Sequence, residues 1–128
     1  MLSSSVALAD ELKITIADVP DSSGSLMVAL MASEGEFKDT APAVASMILP
    51  ARQGSVALTL HDVEPGEYAV RVMHDQNGNQ KLDANMIGIP REPWGFSNNA
   101  AGSFGPPGWK DVTFTVEGHK EITINLNQ

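Results

Sequence analysis

Glu64-Pro65-Gly66-Glu67-Tyr68-Ala69-Val70-Arg71-Val72-Met73-His74-Asp75 is the stretch that decides the fold class. Glu64-Pro65-Gly66 is a turn signal. After it Tyr68, Val70, Val72 and His74 fall on alternate positions, and so on one face of an extended chain. The same pattern repeats on both sides. Leu12, Ile14 and Ile16 alternate with Lys13 and Thr15, and Leu26, Val28 and Leu30 do so after the turn at residues 20–24. A short run at 45–49 ends at Pro50, and Gln53-Gly54 turns into Val56, Leu58 and Leu60. Val112, Phe114 and Val116 precede a break at Gly118, and Ile122, Ile124 and Leu126 follow it. Residues 33–43 read as polar and irregular around Phe37, and 43–47 offer a helical turn as the alternative to a strand, too short to change the class. Short strands with turn signals between them predict an all-β fold, an antiparallel β-sandwich of about seven strands, Ig-like or prealbumin-like.

With 128 residues the chain has the length of one domain with a real core. Net charge is −8, charged residues make up 19%, and the eight Lys and Arg are scattered without forming a patch. That argues against nucleic acid as a partner. Without cysteine there is no disulfide framework, zinc ribbon or thiol nucleophile. Ser3-Ser4-Ser5-Val6-Ala7-Leu8-Ala9 before Asp10 reads as the end of a secretory signal with an A-x-A site, which predicts export to the periplasm or medium. Residues 1–9 are therefore set apart from a single domain at 10–128. No stretch approaches the roughly 18 apolar residues of a membrane span, so membrane insertion is not expected.

The strand ending at His74 runs into Asp75-Gln76-Asn77-Gly78-Asn79-Gln80-Lys81-Leu82-Asp83. Read as a calcium loop of the EF-hand kind, Asp75, Asn77 and Asn79 take positions 1, 3 and 5. Lys81 offers its backbone carbonyl at 7, and Asp83 stands at 9. Hard cations want several oxygens on a tightly curled backbone, which alternate oxygen-bearing residues supply. Position 6 is Gln80 rather than Gly, and Met86 stands where a bidentate Glu is usual. Glu92 is the candidate for the missing carboxylate. With two carboxylates such a site is expected to be weak, with a Kd of roughly 10⁻⁴–10⁻³ M. Asn77-Gly78 also suits the centre of a metal-free type I′ hairpin, which needs positive φ at both residues.

The interval 75–111 is longer than unstructured connections usually are in compact domains, where they rarely exceed about 12–15 residues. It holds Trp94, Phe96, Phe104 and Trp109 in a frame of glycine and proline. Large aromatics among Gly and Pro describe a segment that packs on itself or on the sheet. They also make a candidate sugar-stacking surface.

Taken together, three blocks carry a resemblance: His74–Asn79 running into Leu82-Asp83, the run Gly88-Ile89-Pro90-Arg91-Glu92-Pro93-Trp94-Gly95-Phe96-Ser97-Asn98-Asn99, and Phe104-Gly105-Pro106-Pro107. The chain resembles DUF2141, an uncharacterised family of secreted bacterial proteins, over roughly residues 12–126. The opening of the strand at Pro65-Gly66-Glu67-Tyr68 is also similar to transthyretin-like and carboxypeptidase-regulatory-like sandwiches. The family usually places a second glycine where this chain has Gln80. The resemblance implies an exported all-β protein and assigns no reaction.

Catalytic candidates are thin. Ser97 lacks a G-x-S-x-G elbow. His74 reads as a hydrogen-bonded strand-end residue, and His61 and His119 lie far from it in sequence without a ligand spacing. The carboxylate pairs Asp75/Asp83 and Glu92/Asp111 have no defined separation. The expectation is a non-catalytic exported module with a weak structural calcium site. Its contact surface would be the 84–111 segment, offered to a protein or glycan at the cell envelope. The alternative is a carbohydrate-binding module using the loop aromatics, and a hydrolase comes last.

Overall fold

The computed structural model of the chain describes residues 10–38, 40–78, 92–100 and 107–127. Among the described residues there are eight strands. They are β1 (Asp10–Val19), β2 (Ser25–Met31), β3 (Ala45–Pro50), β4 (Gly54–Val63), β5 (Gly66–Asp75), β6 (Trp94–Phe96), β7 (Phe114–Val116) and β8 (His119–Asn125). The first sheet has the order β4-β1-β8. The second has the order β3-β2-β5-β6, with β7 also on β5. The two short strands share one edge: β7 pairs with Gly66–Tyr68, and β6 with Arg71–Met73.

Alternation explains the layers. Leu12, Ile14 and Ile16 of β1 face Leu26, Val28 and Leu30 of β2 and Val70 and Val72 of β5, all fully or almost fully buried. Each such side chain contributes about 1.5–3 kcal/mol on leaving water. In the first sheet a row runs Leu58–Ile14–Ile122, and in the second Met47–Val28–Val72–Gly95. Gly95 ends that row for a steric reason. A Cβ there would lie 2.6 Å from Ile124 Cγ2 and 3.2 Å from the Asn125 carbonyl. Only glycine lets the two sheets close at that point. Next to it Trp94 N donates to Asn127 O at 3.0 Å and Asn127 N returns the bond to Trp94 O at 2.6 Å. The chain after β8 thus stitches one side of the sandwich shut.

The all-β sandwich is as expected, with four differences in detail. The eighth strand is β6, too short and too glycine-rich to show alternation. One pair, β1 with β8, is parallel, because the Glu117-Gly118 turn carries the chain from the second sheet into the first. Val112 belongs to a helical turn, α2 (Trp109–Val112), rather than to a strand; it is buried all the same. A second turn, α1 (Glu34–Phe37), occupies the stretch read as irregular, whereas 45–47, where a helical turn is the alternative, lie in strand β3. Ser33 caps it: Glu36 N donates to Ser33 Oγ at 3.3 Å, and the Glu36 carboxylate accepts from Ser33 Oγ and from Ala32 N. The Ser-x-x-Glu spacing is that of a capping box, with Glu36 reaching one residue further back, to Ala32 N. Residues 1–9 lie outside the described residues.

Candidate functional site

At the end of β5 the backbone turns through Gln76 and Asn77, with Gly78 at φ +75°. Asn77 does not share a positive φ, so the type I′ turn, which needs one at both central residues, does not form there. The turn at 21–24 between β1 and β2 packs against this bend. Gly24 has φ +64°, and a Cβ on it would meet the Asp75 carbonyl oxygen at 1.9 Å. The position accepts glycine alone. Gln76 Nε2 donates to Asp21 Oδ2 at 3.1 Å, and His74 Nε2 donates to Ser23 O at 2.6 Å. A carbonyl only accepts, so the His74 proton sits on Nε2. Its Nδ1 has no hydrogen-bond partner among the described residues.

Asp21 itself is held by Ser23. The Ser23 hydroxyl donates to Asp21 Oδ1, and Ser23 N does so at 2.9 Å. These two bonds, the hydroxyl first, lower the Asp21 carboxyl below its ordinary value.

Of the calcium-loop candidates, Asp75, Asn77 and Glu92 fall in the described residues; Asn79, Lys81 and Asp83 lie outside them. Asp75 and Glu92 are both buried. Glu92 reaches back across the segment: its Oε2 accepts from Gln76 N at 2.7 Å and from Asn77 N at 3.4 Å. A carboxylate from the middle of the long interval therefore sits on the backbone at its start. Among the described residues no three His, Asp or Glu side chains converge as a metal cluster. A cation site would need the 79–83 oxygens in addition.

The aromatic candidates form a chain of rings on the outer face of the second sheet. Trp94 meets Phe96 edge-on at 5.6 Å, Phe96 meets Phe37 at 5.8 Å, and Phe37 leans on Trp109 at 5.9 Å. With Met31, Ala69 and Val112 they make a second small core. Phe96 is buried, whereas Trp94 and Trp109 are half-buried; Phe104 lies outside the described residues. Beside this cluster a shallow groove of about 430 Å³ runs between Glu36, Thr40 and Arg71 over the floor residue Ala29, and no aromatic ring lines it. Sequence reasoning missed Phe37, although the Ser33–Glu36 capping box was the signal that its turn is helical.

Ser97 is fully buried and used up in the frame. Its Oγ accepts from Val70 N at 3.0 Å and donates to Val112 O, tying β5 to α2. Asn98 and Asn99, at φ 64° and 52°, hold the neighbouring segments. Asn98 Nδ2 donates to Thr113 O at 2.8 Å, and Asn99 Oδ1 accepts from Asn125 N at 2.8 Å. On the opposite sheet, strand register brings together two histidines that sequence spacing kept apart. His61 Nδ1 lies 2.9 Å and His119 Nδ1 3.6 Å from the two oxygens of Glu11, and His119 Nε2 lies 2.8 Å from Glu121 Oε2. The bond to Glu121 raises the His119 pKa above its ordinary value.

Residues 14–125 match the family described as "Uncharacterized protein conserved in bacteria (DUF2141)", and the chain belongs to it. No curated protein and no solved structure matches the chain.

Proposed function

We propose that this DUF2141 member is an exported, non-catalytic binding module of the periplasm or cell surface. A weak structural calcium site fixes its long segment, and residues 84–111 are the contact surface for a protein or glycan at the cell envelope. The observation that carries the calcium reading is Glu92. Its carboxylate, buried with that of Asp75, lies against the amides of Gln76 and Asn77. A buried carboxylate held on backbone amides at the start of the loop presents its remaining lone pairs close to the candidate oxygens that follow. The donor set suits a hard cation: carboxylates of Asp75, Asp83 and Glu92, side-chain amides of Asn77 and Asn79, and the Lys81 carbonyl. When bound, calcium would pin where the segment leaves and rejoins the second sheet.

A thermal melt of chelator-stripped protein tests this, with calcium or magnesium added to about 10 mM. At a Kd of about 10⁻⁴ M that concentration adds roughly 2.7 kcal/mol, enough to raise the midpoint by several degrees. The expected outcome is a calcium-specific rise that Glu92→Gln and the Asp75→Ala, Asp83→Ala double variant both largely lose. A melt indifferent to calcium removes the site, and a full rise in Glu92→Gln removes Glu92 from it.

The half-exposed indoles of Trp94 and Trp109 favour a second reading, a carbohydrate-binding module in which they stack on sugar rings with Phe104. Acrylamide quenching separates the two readings: strong protection of both tryptophans is incompatible with sugar stacking.

A further inference from the structure

The two sides of the sandwich are unequal. One is stitched by Trp94 and Asn127, whereas on the other, among the described residues, no strand pairs with the outer sides of β3 and β4. Core-facing residues show the consequence. Leu12, Ile14, Ile16, Leu26 and Val28 of the central strands are excluded from water, while Ala45, Met47 and Leu49 of β3 and Val56, Leu58 and Leu60 of β4 are only half-buried. A crevice of about 420 Å³ opens between the sheets here, walled by Leu30, Leu60 and Tyr68 with Val44 at its lip. Val44 and Ile48, each 57% exposed, are the exposed large hydrophobics among the described residues, and both belong to β3 or the residue before it.

Charge follows the same division. The chain carries 24 Asp, Glu, Lys and Arg side chains, counted as 16 plus 8, yet residues 41–60 contain only Arg52. Edge strands are normally blunted by charge or a bulge against pairing with another chain. β4 has register shifts near both ends of its pairing with β1, whereas β3 pairs with β2 without a break and carries no charge, its one proline, Pro50, standing at its last position and leaving Ala45–Leu49 open to pairing.

We infer that β3 is the docking edge for a second copy of this chain, paired antiparallel about a two-fold axis, with Val44 and Ile48 of both copies covered. A neutral apolar strip is its own complement, as an isologous interface requires. Copies that each carry a net charge of −8 repel one another elsewhere on their surfaces and can approach closely only where charge is missing. The outward amides and carbonyls of one β3 then find the same groups of the other. Through β3 the second sheets of the two copies become one.

Sedimentation equilibrium of the full chain at about 100 μM tests the inference, in low salt and in about 0.5 M NaCl, where the Debye length falls to a few ångströms. The expected result is a dimer that tightens as salt screens the repulsion. Ile48→Glu should weaken it by at least about 100-fold, because the substitution enters a two-fold interface twice. Ile48 is exposed in the isolated chain, so circular dichroism and the melting curve at low concentration should stay those of the wild type. Hydrogen exchange at β3 amides pointing away from β2 should slow as concentration rises. A chain that stays monomeric at high salt overturns the inference, as does a dimer that Ile48→Glu leaves intact.

Discussion

Replacing Ser97 by alanine should cost this domain a large part of its stability without touching any exposed surface. The hydroxyl serves two backbone groups that have no route to water: it accepts from Val70 N at 3.0 Å and donates to Val112 O, and Ser97, Val70 and Val112 are all fully buried. Alanine fills the same space minus one oxygen, so packing changes little. What remains is an orphaned N–H and an orphaned C=O. Each such group costs about 1–3 kcal/mol, which puts the pair at roughly 2–6 kcal/mol. Domains of this kind hold about 5–15 kcal/mol in all.

Urea denaturation is the assay. With a slope of about 1.5 kcal/mol per molar, a loss of about 3 kcal/mol lowers the midpoint by about 2 M at unchanged slope. Asn98→Ala is the internal control. Its Nδ2 donates to the Asp111 and Thr113 carbonyls in an exposed setting, where water replaces it, so its midpoint should fall by no more than about a third as much. A Ser97→Ala midpoint equal to that of the wild type would refute the account. It would also return the hydroxyl to the list of groups free to do chemistry.

Gly24→Ala forces a Cβ onto the Asp75 carbonyl at φ +64°; the two turns must part, and a loss of about 2–4 kcal/mol should appear in the same urea assay. A smaller loss, or none, would mean that the two turns do not bear on one another. Phe37→Ala removes the ring joining Phe96 to Trp109, which should cost about 2 kcal/mol and make Trp109 more accessible to acrylamide; unchanged quenching contradicts the ring chain. For Asp21, the Ser23 hydroxyl and amide hold the folded-state pKa down. A depressed carboxylate value contributes stability that is present above the unfolded value and is lost as pH falls through the folded value. Ser23→Ala should move the Asp21 NMR titration midpoint up toward the ordinary range and shrink that acid-side loss; a midpoint that stays put denies the role of Ser23.

The sheets were legible because their signal is local and periodic. Seven runs alternate in the sequence, and seven strands lie where they do. β6 was not legible, since three residues around a glycine carry no period; the need for Gly95 arises from Ile124, 29 positions away. α1 was legible in principle from Ser33 and Glu36. At the candidate site, oxygen spacing pointed to Asp75 and Asn77 directly, while placing Glu92 on the Gln76 amide required knowing that the segment returns to the same end of β5. The pairing of His61 with Glu11 is likewise a product of strand register, which one-dimensional spacing does not encode.

The stretch that ties this chain to its family reads differently once its side chains have addresses. Gly95 clears the way for Ile124, Ser97 ties Val70 to Val112, Asn98 holds the Asp111 and Thr113 carbonyls, and Asn99 receives Asn125 N. Each residue is committed to the frame, and each commitment closes the β6 side of the sandwich. Such residues keep the fold, so a partner of the 84–111 segment is left to the other side chains of that segment. Outside that stretch stand the candidate oxygens of the Asp75–Asp83 run and the apolar strip along β3. Glu92 stands at the junction, two residues before Trp94, with its carboxylate on the 76–77 amides while Pro93 O receives His74 N at 2.9 Å. Charge placed at that junction acts on the stitched side, and a partner strand acts on the open one. The two proposed contacts therefore load opposite edges of the second sheet, so the module can hold a cation and a second copy without either displacing the other.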